Sequence, residues 1–229
     1  DFMTMGNDSA FGMFETMGND LIGDMGGDTM AGMFDSMGAD HIGSIGGEDL
    51  FDMMGAMSGS DFMTMGNDSA FSMFETMGND RIMEMEGDAM AGMFGAMGAE
   101  HLSDIGHDGV ADAFSAMGID SAIGMGGASL AEMFTAMGGD NIVAVGAEGM
   151  QEAALSMTGD ALAQMDPEAA AAMMSTMGSA EATKALGGEQ LAGLIGAIDP
   201  GQLAEVMPSG VLMEAAEKMT IENFAAMSV

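Results

Sequence analysis

GNDSAFGMFETMGNDLIGDM, residues 6–25, is one copy of a twenty-residue unit that recurs along almost the whole chain and decides its fold. Each copy divides into a long unit of twelve residues, here 6–17, and a short unit of eight, here 18–25. Repetition at a fixed short period is typical of arrays in which each repeat packs on its neighbours. We therefore expect function to lie on an extended surface rather than in one pocket.

The spacing of apolar residues within the unit is that of α-helices. In the long unit they fall at i, i+3, i+4 and i+7, which is one helix face. These positions are Ala10, Met13, Phe14 and Met17. The short unit repeats the pattern with Ile22 and Met25, and the period-two alternation of strands does not occur. The sequence predicts an all-α solenoid of two-helix hairpins, with helices of about nine and five residues that are stable only when stacked.

The regularity of the repeat changes along the chain. Residues 1–20 recur almost unchanged at 61–80, with Gly12 replaced by Ser72. After Asp166 the pattern loosens and Ala and Leu replace Met and Phe. We therefore predict regular repeats over 1–165 and degenerate repeats over 166–229 that form a C-terminal cap of the same solenoid. The chain opens inside a short unit, so we expect an uncapped N-terminal end and a sequence that is part of a longer polypeptide.

The charge of the chain restricts its partners. There are 37 acidic residues against Arg81, Lys184 and Lys218, for a formal net charge of −34. Such a chain cannot neutralise nucleic-acid phosphates and is repelled by anionic membrane surfaces. Its hydrophobic content of 48% is too high for a disordered acidic tail. The composition favours a folded protein suited to high salt, divalent cations or a basic partner, and an extracellular or cell-surface location over a cytoplasmic one.

The 34 methionines admit two interpretations. Thioether sulfur selects Cu(I), and Met3 and Met5 have a spacing suited to it. However, equivalent positions carry Met in one repeat and Ile or Val in another, which a core tolerates and a ligand set does not. We therefore predict a Met- and Phe-rich core ladder and keep Cu(I) binding as a remote alternative. The ladder consists of Phe14, Phe34, Phe74, Phe94, Phe114, Phe134, Met17, Met37, Met57, Met77 and Met97.

Acidic residues recur near the start of each predicted helix. A carboxylate there accepts N–H bonds and meets the positive end of the helix dipole, so we predict helix caps. The predicted caps are Asp8, Asp20, Asp28, Asp40, Asp68, Asp80 and Asp88. The alternative is a divalent-cation site built from stacked acids and turn carbonyls. Its candidate ligands are Asp8, Asp28, Asp68, Asp88 and Asp108. We expect no fixed cofactor and, at most, loosely bound divalent cations.

No catalytic motif stands out from the repeats. The chain has no cysteine, which excludes disulfides and thiolate chemistry, and no G-x-S-x-G, Walker A or H-E-x-x-H pattern. His41 and His101 lie three repeats apart and are not expected to share a metal. We therefore expect a protein that is not an enzyme.

The degenerate end resembles a known family. The segments MDPEAAAAMMSTM at 165–177 and IDPGQLAEVM at 198–207 are similar to the short-helix superhelical domain of MgtE-type magnesium transporters and to FliG-like α-superhelices. The resemblance covers about 60 residues and implies a right-handed superhelix that acts as an acidic, cation-responsive or scaffolding module. It implies no transport activity and transfers no functional residue.

These patterns favour a structural or interaction repeat protein, an acidic α-solenoid that forms or scaffolds a filament, sheath or surface assembly. Its expected partner is protein, either a second copy of the chain or a basic or apolar partner at the uncapped N-terminal end. A Ca²⁺- or Mg²⁺-binding, cation-responsive module is the alternative.

Self-repulsion makes a salt dependence testable. Raising NaCl from about 0.05 M to about 1 M screens like charges and is expected to raise the melting temperature by about 5 °C or more. Lowering the pH toward the sequence pI of about 4.1 is expected to relieve repulsion and promote association. Thermal melts followed by circular dichroism check both effects, and a melting temperature that does not change with salt contradicts the interpretation.

Overall fold

The computed structural model describes residues 6–17, 21–22 and 24–227. Over these residues the chain forms helices joined by short turns, and it contains no strand. The all-α helical-repeat fold predicted from the sequence is confirmed. Asp20, Met3 and Met5, named above as a cap and as candidate thioether ligands, lie outside the described residues.

The described helices fall into two compact units that interleave in sequence. Unit 1 is drawn from residues 1–104 and 116–125, and unit 2 from 105–115 and 126–229. The helices that begin in unit 1 are Asn7–Met17, Gly27–Met37, Ala39–Ile42, Gly47–Met54, Gly59–Phe62, Asn67–Met77, Asn79–Ile82, Gly87–Ile105 and Ile119–Gly124. Those that begin in unit 2 are His107–Met117, Gly127–Ser156, Gly159–Ala163, Pro167–Met177, Ser179–Ala185, Gly188–Ala197, Pro200–Val206, Ser209–Lys218 and Ile221–Ala226.

Helices begin two residues earlier than the acidic pattern suggests. In unit 1 the long helix Asn67–Met77 has eleven residues and the short helix Ala39–Ile42 has four. Gly66 precedes the long helix in an extended conformation, whereas Gly38 precedes the short one at φ 75°, a backbone region that favours glycine. Glycine thus supplies the sharp turn between long and short helices, and the helix starts at the next residue.

The apolar face of each repeat is buried. All six phenylalanines of the predicted ladder are buried, as are Met37, Met57, Met77 and Met97, while Met17 is half-buried. The phenylalanines meet in pairs twenty residues apart, with ring centroids 5.3–6.2 Å from each other. The pairs are Phe14–Phe34, Phe74–Phe94 and Phe114–Phe134. Aromatic contacts therefore link successive long helices, with Met filling the space between them.

The repeat is not a closed hairpin, because its contacts reach further along the chain. Helix Asn7–Met17 packs on Gly27–Met37, twenty residues later, and also on the short helix Ala39–Ile42. Side chains form hydrogen bonds across 31 to 36 residues in both units, about one and a half repeats. A helix of one to three turns cannot bury its apolar face alone, so each one is covered by segments from later repeats.

Close backbone contact occurs where two glycines face each other. In unit 1, Gly59 at the start of a short helix touches Gly92 in the middle of a long helix, and a Cβ on either residue would overlap main-chain atoms. The same contact recurs in unit 2 between Gly159 and Gly193. These helices approach more closely than any side chain permits, so glycine is required on both sides of the contact.

A pair of glycine substitutions tests this packing. Gly92→Ala places a Cβ against the carbonyl oxygen of Gly59 and is expected to lower the free energy of unfolding by about 2 kcal/mol. Gly32 holds the same repeat position, but a Cβ there meets no atom within 4 Å. Gly32→Ala is therefore expected to stabilise the protein by about 0.5 kcal/mol. Urea denaturation measures both changes, and equal effects at the two positions would refute the contact.

Candidate binding surface

The recurring acids lie inside the first helical turn rather than at the N-cap. Gly26, Gly38, Gly66 and Gly78 occupy the N-caps and form no side-chain cap bond. The prediction of side-chain caps is therefore wrong for Asp28, Asp40, Asp68 and Asp80. Asp8 and Asp88 are likewise the second residues of their helices. All six still meet the positive end of the helix dipole, with their carboxylates directed toward solvent or a later repeat.

At two helix starts the main-chain N–H donates a hydrogen bond to a side chain of another helix. In unit 1, Asp35 accepts hydrogen bonds from the main-chain N–H of Gly66 at 2.9 Å and from the Ser69 hydroxyl at 3.1 Å. In unit 2, Thr135 accepts from the main-chain N–H of Asp166 at 3.1 Å. Capping thus acts between repeats here, and it ties the end of one long helix to the beginning of another.

Local caps do occur at other helix starts. The Asp166 carboxylate accepts from the N–H of Glu168, and the Thr158 hydroxyl accepts from the N–H of Ala161. Asp166 is followed by Pro167 at the first helical position, where proline is well tolerated. The D-P-E and T-G-D starts therefore close their own helices, whereas the helices that follow Gly26, Gly38, Gly66 and Gly78 have no side-chain cap of their own.

The acid at the second position of a long helix meets a particular residue 33 positions later. His41 Nε2 lies 3.1 Å from Asp8 Oδ1, and His101 Nε2 lies 3.0 Å from Asp68 Oδ1. In unit 2 the amide of Asn141 donates to Asp108 at 3.4 Å. The same spacing places Arg81 after Glu48 in the sequence. An alignment of the acids at the second position of the long helices with the residues 33 positions later would reveal this complementarity from the sequence. The helical spacing within one repeat does not reveal it.

Each of the two histidines also stacks on a phenylalanine. The Phe11 and His41 ring centroids are 4.6 Å apart with an angle of 6° between the planes, and those of Phe71 and His101 are 4.3 Å apart at 10°. Each of these phenylalanines also stacks on a ladder phenylalanine of the same helix. The ring centroids of Phe11 and Phe14 are 6.2 Å apart, and those of Phe71 and Phe74 are 6.4 Å apart. The Asp–His–Phe cluster, defined by Asp8, His41 and Phe11 and repeated at Asp68, His101 and Phe71, thus connects an exposed carboxylate to the aromatic core.

The second cluster borders an open groove. This groove has a volume of about 510 Å³, and its polar lining includes Asp40, Asp68, Ser72, Glu75 and His101. His101 Nδ1 is buried without a hydrogen-bond partner, 4.0 Å from Asp104 Oδ2. The groove is acidic and shallow, which suits contact with a cationic group on a partner surface.

The 33-residue spacing also brings two acids together. The Asp61 carboxylate lies against Gly27, beside Asp28, and accepts a hydrogen bond from the main-chain N–H of Ser58 at 2.7 Å. The bond from the Ser58 main chain is the main cause that holds the pKa of Asp61 below its ordinary value. Asp28 contributes to the lowered pKa of Asp61, so two acidic side chains from different repeats lie close together here.

The candidate cation ligands do not converge into a metal centre. Asp8, Asp68 and Asp108 each lie in a different cluster or unit, and Asp28 meets Asp61. Across 6–17, 21–22 and 24–227, no three His, Asp or Glu side chains come close enough to hold one ion. Three closely spaced methionines, whose thioethers could in principle bind Cu(I), are instead buried in the core: Met53, Met54 and Met57.

Comparison of the chain with protein-family models, with curated proteins and with solved structures finds no match. The resemblance of residues 165–177 and 198–207 to MgtE and FliG superhelices therefore stays a prediction. No described helix has the length and apolar character needed to span a bilayer.

Two of the three basic residues lie in the degenerate part, and they act differently. The Lys218 ammonium donates to three main-chain carbonyls where the helix Ser179–Ala185 ends: those of Thr183, Lys184 and Leu186. Gln190 does the same where the helix Gly127–Ser156 ends. By contrast, Lys184 pairs with Glu181 at 2.9 Å on the exposed surface, and that hydrogen bond raises its pKa. Lys218 therefore joins two helices, while Lys184 joins residues of one turn.

These two lysines give a matched test, because replacing either with Met removes one positive charge. Lys218→Met leaves helix carbonyls without their donor and is expected to lower the free energy of unfolding by about 1 kcal/mol. Lys184→Met loses only an exposed ion pair and is expected to have a smaller effect. Chemical denaturation compares the two, and a larger loss for Lys184→Met would contradict the assigned role of Lys218.

Proposed function

We propose that this protein is a structural or interaction protein, an acidic helical-repeat scaffold that builds or supports a filament, sheath or surface assembly. The observation that carries the proposal is the recurrence of the same exposed acidic position on helix after helix in both units. These positions include Asp8, Asp68 and Asp108, which all lie above a buried apolar core. A surface of this kind presents equivalent groups at a regular spacing, which favours multivalent contacts over a single ligand pocket.

Further support comes from the contacts between repeats. The Asp–His–Phe cluster, the Asp35 contact and the glycine contact all join segments of different repeats. Within each unit, contacts of this kind join one repeat to another at several places, as a scaffold requires. A cell-surface location agrees with the charge and belongs to the same proposal.

Divalent-cation binding is the second candidate, favoured by the contact between Asp28 and Asp61. A cation that bridges the two carboxylates would remove their repulsion and pull the two helices together. Loose binding of Ca²⁺ or Mg²⁺ at such pairs is compatible with a scaffold role and makes assembly responsive to ions.

The experiment is sedimentation velocity with electron microscopy of the purified chain. We expect larger, regular assemblies as NaCl rises from about 0.05 M to about 1 M, because screening removes the repulsion between copies. CaCl₂ at matched ionic strength separates the two candidates. Equal assembly in both salts supports the scaffold alone, whereas assembly in CaCl₂ only supports the cation-responsive module.

A chain that stays monomeric at every salt and Ca²⁺ concentration contradicts the assembly proposal. Asp61→Asn serves as a control for the cation candidate, because it removes one charge of the acid pair and keeps an acceptor for the Ser58 N–H. A CaCl₂ effect that survives this substitution does not arise at the Asp28–Asp61 contact.

A further inference from the structure

The two helices at the end of the described chain expose large apolar side chains. Met213 on Ser209–Lys218 is 68% exposed, and Ile221 on Ile221–Ala226 is 88% exposed. Ile221 and Phe224 are three residues apart, so they lie on the same side of their helix. We call Leu212, Met213, Ile221 and Phe224 the C-terminal apolar face.

Apolar side chains exposed elsewhere in the described residues are scattered. Leu21, Met63, Val143 and Leu155 are separated from one another by at least twelve residues of sequence. Single exposed apolar residues are normal on protein surfaces, whereas a concentration of them marks an interaction site. Both helices that carry the C-terminal apolar face pack on Gly188–Ala197, whose Leu191 and Leu194 are fully buried. The exposed face is thus the outer side of helices whose inner side already contacts the core.

Most charges around the C-terminal apolar face are negative, and Lys184 is a basic residue close enough to interact with one of them, Glu214. Glu205, Glu214, Glu217 and Glu222 are exposed on the last three helices. The ammonium of Lys218 points to helix carbonyls of Thr183 and its neighbours and does not neutralise these acids. An apolar centre with an acidic rim is complementary to a partner with an apolar centre and basic flanks.

We propose that the C-terminal apolar face binds an amphipathic helix of a partner protein whose polar side carries Lys and Arg. The inference rests on the proposed function and names the chemistry of the partner. A helix is the fitting occupant because the described chain buries apolar side chains by packing helix on helix and has no strand edge to extend. A second copy is disfavoured, because each copy carries a formal net charge of −34 and brings the same acidic rim.

The probe is a fluorescein-labelled peptide of Leu and Lys, with leucines spaced at i, i+3, i+4 and i+7 over about five helical turns. Fluorescence anisotropy against the full chain is expected to show saturable binding that weakens with NaCl but persists at high salt. Two control peptides define the recognition. One keeps the leucines and replaces Lys with Glu, the other keeps Lys and replaces Leu with Ser, and neither is expected to bind saturably.

Two double variants of the protein locate the site. Ile221→Ser with Phe224→Ser removes the centre of the face without changing charge and is expected to weaken binding about ten-fold. Leu21→Ser with Val143→Ser removes two side chains of similar exposure elsewhere and is expected to leave the dissociation constant unchanged within about two-fold. Circular dichroism checks the helical content of both variants. Met213→Ser, on the other helix of the face, supplies a second variant with the same expected direction.

Equal affinity of the two double variants would overturn the proposal, because attraction would then come from charge alone. A dimer at high salt that disappears on Ile221→Ser with Phe224→Ser would also overturn it, because a second copy would then occupy the face. The outcome is separable from the scaffold proposal. If the chain never assembles but binds the Leu–Lys peptide, the scaffold proposal fails and the binding-site proposal stands. If the chain assembles but does not bind the peptide, the scaffold proposal stands and the binding-site proposal fails.

Discussion

The structure depends on packing between helices that are too short to be stable alone. A four-residue helix such as Ala39–Ile42 has one turn, and it persists because the preceding helix Gly27–Met37 and the long helices Asn7–Met17 and Asn67–Met77 pack on it. Burial of Phe and Met at these crossings supplies the stabilising free energy. The glycines that let helices approach closely and the surface acids that join one repeat to another both depend on that packing.

The net negative charge opposes the same packing, because like charges repel each other. The repeat places its carboxylates on the surface and its apolar side chains in the core, so the two do not meet. Carboxylates occupy the second helical position, where the helix dipole favours them and where they reach solvent. Two of them also contact a later repeat, since Asp8 meets His41 and Asp68 meets His101. Asp35, near the end of its helix, meets Gly66 of a later repeat in the same way. The acids that create repulsion thus also supply the polar contacts between repeats, so the surface and the stability of the fold are not independent.

The helices and the core could be predicted from sequence because both depend on local spacing. The apolar positions of one helix face led directly to buried residues such as Phe34 and Met37. The caps could not be predicted, because the N-cap lies two residues before the acid, at Gly66 for Asp68 and at Gly38 for Asp40, and the helix starts two residues earlier than expected. The partner of Asp35 lies 31 residues away, and no local pattern reveals it.

Contacts between repeats also explain the one difference in the duplicated segment. Ser72 donates a hydrogen bond to the carbonyl of Ala39 at 2.8 Å, whereas a Cβ at Gly12 meets no atom within 4 Å. The same spacing determines how the Asp–His–Phe cluster was copied. Its acid and histidine come from different repeats, at Asp8 and His41, so duplication of a single twenty-residue unit cannot carry the cluster. The copy sixty residues later carries both halves, and a ligand that recognises the cluster meets it once every three repeats in unit 1.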